Sequence, residues 1–134
     1  MLMEVLAPYA NLASLALRLS LAIILIRHGW PKLFGLNPGL KGFASWLGSL
    51  GFPLSMFWAI IVALLEVFGG AALALGFLTQ WVALFVVIEF AVIILAVKMK
   101  QKFSEKEFDL IIFAAALALV ILGGGSISLD SLLF

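Results

Sequence analysis

"LSMFWAIIVALLEVFGGAALALG", Leu54 to Gly76, is an apolar run with one ionisable side chain, Glu66. Its length suits the roughly 20 residues that an α-helix needs to cross the hydrocarbon core of a bilayer. The rest of the chain has the same character. It has 134 residues, of which 66% are hydrophobic and 11% charged, and its mean hydropathy is +1.30. Soluble domains carry about 25% charged residues, so the bilayer is the expected solvent.

Three further runs have similar lengths: about Tyr9 to Trp30, Thr79 to Val97 and Glu105 to Leu122. Backbone polar groups in lipid must be satisfied within the segment, which selects helices. The expected fold is therefore an all-α integral membrane protein with a single domain over residues 1–134. It is a four-transmembrane-helix bundle with a short interfacial helix between helices 1 and 2.

Local chemistry predicts the boundaries. Pro8 precedes the first helix. Pro31 ends or kinks it, because the ring clashes with the carbonyl of Arg27 one turn back. Asn37 is a candidate cap, with Pro38 at the first position of the interfacial helix. Leu40, Phe43, Ala44, Leu47 and Leu50 then share one side, as a helix lying at the interface requires. Gly51 and Pro53 close that helix. "SEKE", Ser104 to Glu107, matches a capping box before the last helix, and "GGGS", Gly123 to Ser126, ends it.

Topology follows from the cations. The first and third connections hold Lys32, Lys41, Lys98, Lys100, Lys102 and Lys106, with Arg27 at the edge. The positive-inside bias puts these loops in the cytoplasm and both termini outside. Tyr9 and Trp81 then mark the outer interface, and Trp30 and Trp58 the inner one. Within "LIRHGWPKLFG", Leu25 to Gly35, Arg27 and Lys32 read as anchors to lipid phosphates. His28 and Gly29, beside the Pro31 break, are candidates for the mouth of a site. "MLMEVLAP" at the start lacks a basic segment before an apolar run, so no cleavable leader is expected.

Composition also excludes some chemistry. Without cysteine there is no thiolate catalysis and no cysteine-ligated metal or iron–sulfur site. His28 is the single histidine, and no metal site is expected. A net charge of +1 gives no indication of nucleic acid.

Arg18, Glu66 and Glu89 lie inside spans, where an ionised side chain costs roughly 2.5–3.5 kcal/mol on insertion scales. Counted from the outer ends of their spans, all three fall about 14–15 Å deep, near the midplane. Arg18 is expected to pair with Glu66. The second carboxyl, Glu89, has no cation of its own and should keep its proton, which makes it a candidate proton carrier. A buried pair that only fixes helix register is the structural alternative. Ala59, Ala63, Glu66, Gly70 and Ala74 share a helix face, a spacing that lets helices approach closely. Ala114, Ala115 and Ala116 read as a close-packed wall on the fourth helix.

Several residues together resemble the DoxX family of small membrane proteins. They are Arg18, "HGWPKLFG" from His28 to Gly35, Gly51, "LEVFGGAALALGFLT" from Leu65 to Thr79, and "GGGSISLD" from Gly123 to Asp130. The resemblance runs along nearly the whole chain. It implies a compact four-helix membrane protein, and some members of that family are subunits of thiosulfate:quinone oxidoreductase. The function it implies is a membrane subunit of a quinone-linked oxidoreductase system, with a quinone or quinol as cofactor and a soluble or membrane redox partner. On that reading Glu66 and Glu89 do the proton chemistry, while Arg18, His28, Lys32 and Asp130 bind ligand. Asp130 belongs to an ending that serves either as a helix stop or as a lid over an outward-facing site. A non-catalytic scaffold, or a carrier of a small lipophilic ligand, is the alternative. The lipid bilayer is a partner in either case, and a homo-oligomer is compatible with both.

Overall fold

A computed structural model of the chain describes residues 1–35, 39–97 and 102–134. Among these residues every regular element is helical. α1 (Leu2–Leu6) passes through a 3-10 turn at Ala7–Tyr9 into α2 (Ala10–Phe34). Then come α3 (Gly39–Ser49), α4 (Ser55–Leu75), α5 (Thr79–Ala96), α6 (Phe103–Leu122) and α7 (Leu129–Leu133). Three stretches are long and apolar enough to cross a membrane: Leu2–Phe34, which joins α1 and α2, then α4, and α5. α6 has 20 residues, and its first turns carry Glu105, Lys106, Glu107 and Asp109.

The burial pattern is that of a protein solvated by lipid. Ile23, Phe68, Phe85 and Ile121 face outward, while Arg18 and Glu66 lie inside. A protein in water reverses this arrangement. Leu21 and Leu25 of α2, Leu73 of α4, Val86 and Phe90 of α5, and Ile112 and Leu119 of α6 form one core. On α6 the buried positions are Asp109, Ile112, Ala116 and Leu119, which recur every three or four residues on one helical face.

α2 and α4 touch through glycine. A Cβ on Gly29 would lie 2.6 Å from Glu66 Cβ and 3.0 Å from the Val67 backbone nitrogen. One on Gly70 would lie 2.7 Å from Ile26 Cγ1 and 3.1 Å from the Ala22 carbonyl oxygen. Small residues permit this approach. Ala59 and Ala63, on the same face of α4, are fully buried. Between Leu65 and Gly69 α4 widens into a π-helical turn, a feature that often accompanies functional sites.

Gly76 ends α4 in the left-handed conformation, with φ of 70°. Its N–H donates to Leu73 O at 3.1 Å and that of Phe77 to Ala72 O at 2.8 Å, which together make a Schellman turn.

The helix limits differ from expectation in two places. α2 does not stop at Trp30; it continues past Pro31 to Phe34, and Gly35 N–H donates to Pro31 O at 2.9 Å. Proline removes the bond to the Arg27 carbonyl one turn back, yet α2 continues beyond it. α6 starts at Phe103, after Lys102 in extended conformation, so Ser104 lies inside the first turn, and Lys102 makes no side-chain cap. Asn37, Pro38, Lys98 and Lys100 lie outside the described residues. α3 buries Ala44 and Leu47 against Ala59 of α4, with Leu40 and Phe43 beside them, so protein covers its apolar side. Leu50 lies beyond the end of α3 and is exposed.

Candidate functional site

Polar side chains gather at two levels of the bundle. At the Gly76 end, Arg18 is almost wholly buried, with 1% exposure. Its Nη1 donates to Leu73 O at 3.0 Å and to Ala74 O at 3.3 Å, and its Nη2 donates to Ile127 O. The first two acceptors are carbonyls of the last turn of α4, where helical partners run out, and Leu73 O also accepts from Gly76 N. Arg18 thus ties the end of α4 to the segment after α6.

That segment folds back over the bundle. Ser14 Oγ donates to Gly123 O at 2.7 Å, and Ser126 N donates to Asn11 Oδ1 at 3.1 Å. Asp130 accepts from Leu78 N at 2.6 Å and Thr79 N at 2.9 Å, while its own N–H donates to Gly76 O at 2.9 Å. Leu78 precedes α5 in the left-handed region, with φ of 50°, and its side chain has no oxygen to cap with. Asp130 supplies the missing cap from the far end of the sequence. Ser128 caps α7 by accepting from Ser131 N at 3.3 Å.

The expected Arg18–Glu66 pair does not form. The depth count assumed that Tyr9 and Gly76 lie in one plane. Instead α2 projects beyond Gly76 far enough for Asn11 and Ser14 to meet the glycine segment. Arg18 is therefore level with Leu73, and Glu66 is level with Gly29, eleven residues or about 16 Å further along α2.

At the Pro31 end Glu66 finds a different cation. Lys32 Nζ lies 2.9 Å from both Glu66 Oε1 and Oε2. Glu66 is 2% exposed, and the Lys32 side chain reaches the surface with 24% exposure. The ammonium also lies 4.6 Å from the centre of the Phe43 ring, a cation–π contact. Pro31, Gly42, Phe43 and Trp46 surround it in a cavity of about 270 Å³. Glu89 enters from α5, is 8% exposed, and lies within electrostatic reach of Glu66 and Lys32. Neither Glu89 oxygen has a hydrogen-bond partner among the described residues. Three helices thus place one cation and two carboxyls in one largely buried cluster, the composition expected for Arg18 but built with Lys32.

His28 lies one turn before Lys32, is exposed, and donates from Nδ1 to Ile24 O at 2.7 Å. Its ring centre is 5.7 Å from that of Phe108 on α6. Toward the Gly76 end from this contact, a groove of about 410 Å³ runs between α2 and α6. Leu17, Ser20 and Ile24 line one wall, and Ile111, Ala114 and Ala115 the other. The alanines read as a wall therefore divide: Ala116 is buried, and its two neighbours open on the groove.

The sequence reading left out Asp109, which is 6% exposed, and the pairing of Lys32. Asp109 occupies the same helical stripe as Ile112, Ala116 and Leu119, a signal present in the sequence. Lys32 follows Gly29 by three residues, so the two share the face that meets Glu66.

The chain is 29% identical over 125 residues to the Bacillus subtilis (strain 168) protein named "Putative oxidoreductase CatD", covering 92% of this chain and 89% of the relative. No solved structure matches the chain. The description DoxX belongs to the family whose sequence pattern matches residues 13–99. That match spans Arg18, Gly29, Lys32, Glu66 and Glu89. With its apolar helices, the chain is a multi-pass membrane protein, and it belongs to the DoxX family.

Proposed function

We propose that the protein is a membrane subunit of a quinone-linked oxidoreductase system, and that Lys32, Glu66 and Glu89 hold and transfer its protons. The observation that carries this reading is the two-oxygen clamp of Lys32 on Glu66 beside a buried Glu89 that has no hydrogen-bond partner among the described residues. One ammonium balances one carboxylate. A proton on the second carboxyl makes the cluster neutral, which a low-dielectric interior favours. Lys32 joins the cluster to the surface through its exposed edge, so the proton on the carboxyl pair can exchange with water at the Pro31 end.

The residues fit a quinone by composition: an apolar groove for a tail, and buried acid groups about 7–8 Å further along α2 from its end at Ile24, on the side that meets α4. A quinone accepts two electrons and two protons. The electrons come from a redox partner, soluble or membrane-bound, and the protons pass through Glu66 and Glu89. The name of the Bacillus subtilis relative supports an oxidoreductase-associated role.

α6 is the fourth span in this reading, its charged first turns lying at the cytoplasmic surface. The Pro31 end faces the cytoplasm of the cell membrane, in line with its lysines, and both termini lie outside. Tyr9, Trp30, Trp58 and Trp81 are all exposed and supply the aromatic belts. The open groove favours a second reading as well, a carrier of a lipophilic ligand without catalysis.

Glu66→Gln and Glu89→Gln, assayed with the redox partner present, should each lower quinone reduction about tenfold or more. Unchanged turnover in folded variants would remove both residues from the proton path and leave the carrier reading.

A further inference from the structure

We infer that Phe43 of α3 is a positioning residue, whose ring face holds the Lys32 ammonium on Glu66 and so keeps the carboxyl cluster closed on its surface side. The inference rests on the proton role proposed for that cluster and names the side chain that governs its cation.

Three elements converge on one nitrogen. Lys32 Nζ comes from α2, lies 2.9 Å from each Glu66 oxygen of α4, and stands over the Phe43 ring of α3 at 4.6 Å from its centre. An ammonium has three donors and no acceptor. The carboxylate serves one side of it. The ring serves another, because an aromatic face carries the negative part of the ring quadrupole. A ring also does what a third carboxyl could not. It attracts the cation without taking up a proton, so the balance of one ammonium against Glu66 and Glu89 is undisturbed. An aliphatic side chain in its place would fill the space without the attraction.

The ring is itself held. Phe43 packs against the small core of Ala44 and Leu47 on α3 with Ala59 on α4, which is separate from the main core of the bundle. Trp46, one turn along α3, stacks on it with ring centres 5.9 Å apart and planes inclined by 23°. Packing of this kind locks the rotamer of a supporting residue.

Holding matters because Lys32 has somewhere else to go. Its side chain is 24% exposed and borders the cavity of about 270 Å³ that Pro31, Gly42, Phe43 and Trp46 also line. That volume has room for several waters, each occupying about 30 Å³ in the liquid. A lysine on its flexible stem that swung into this space would regain hydration and leave Glu66 buried without a cation. Phe43 belongs both to the cavity wall and to the ammonium's contacts, so its ring biases Lys32 toward the carboxylate.

The test is acetylation of lysine by a water-soluble succinimidyl ester, applied to the full chain in phosphatidylcholine nanodiscs, whose lipid has no reactive amine. Mass spectrometry reads the rate at Lys32 relative to Lys41, which is exposed on α3 and serves as the internal reference. Phe43→Leu should speed labelling of Lys32 about fivefold against Lys41, and Phe43→Tyr, which keeps the ring, should restore the wild-type ratio. Phe43→Met replaces the leucine variant if that one fails to fold. Pentafluorophenylalanine at position 43 keeps a ring of similar shape but reverses its quadrupole, and should label like Phe43→Leu. In a Glu66→Gln background Phe43→Leu should change the ratio by less than about twofold, because the ring acts through the pair. A wild-type ratio in the leucine and methionine variants would overturn the inference. So would full protection by the fluorinated ring, which would reduce Phe43 to packing, or an undiminished effect in the Glu66→Gln background. None of these readouts depends on turnover. Faster labelling with unchanged quinone reduction in Phe43→Leu keeps the positioning contact and removes the cluster from the proton path, whereas unchanged labelling removes the contact whatever the turnover.

Discussion

The two ends of the bundle bury their charges in opposite ways. At the Gly76 end a cation donates to backbone carbonyls and a carboxylate accepts backbone N–H groups, so each partner is fixed by the fold. At the Pro31 end the partners are side chains, Lys32 and Glu66, with the buried carboxyl of Glu89 beside them. Backbone partners cannot change without unfolding. Side-chain partners can exchange a proton or turn toward a ligand. The comparison separates a brace from a site, although both appear in the sequence as charges inside apolar spans.

The largest effect should come from breaking the brace. Arg18→Leu removes three hydrogen bonds to backbone carbonyls and is expected to destabilise the protein by about 4 kcal/mol, read from unfolding in mixed micelles. A smaller effect follows at the other end. Lys32→Met leaves Glu66 buried without its cation and should cost about 3 kcal/mol, and adding Glu66→Leu should restore most of it. If the double variant is no more stable than the single one, the cluster contributes more than a charge pair, and the contrast between the ends fails. The smallest effect belongs to Asp130→Ala. Loss of the cap on α5 should cost about 1–2 kcal/mol, and amide hydrogen exchange at Leu78 and Thr79 should rise before exchange elsewhere in α5.

The long apolar helices were legible because lipid imposes a length and a composition that few other constraints mimic. The contacts at Gly29 and Gly70 were legible in kind, since small residues at helical spacing mark close approach. Depth was not. Counting from helix ends treats every helix as starting in the same plane, and the overhang of α2 beyond Gly76 is a tertiary fact set by the glycine segment that packs on it. The same overhang moved Arg18 away from Glu66. Lys32 was hidden for a related reason: near a presumed interface a lysine reads as an anchor, while its ammonium reaches back to a carboxylate on α4. Asp130 stood in a conspicuous ending, but its work as the cap of a helix that begins 51 residues earlier in the sequence needs the folded chain.

The brace also imposes an order on biosynthesis. Arg18 enters the membrane with α2, long before the acceptor at Ile127, 109 residues later, has been made. Until then its guanidinium has only what α4 can offer it at Leu73 and Ala74. The earliest and latest parts of the bundle to leave the ribosome are thus held by one side chain. A nascent chain lacking the residues after α6 carries a buried cation still short of an acceptor.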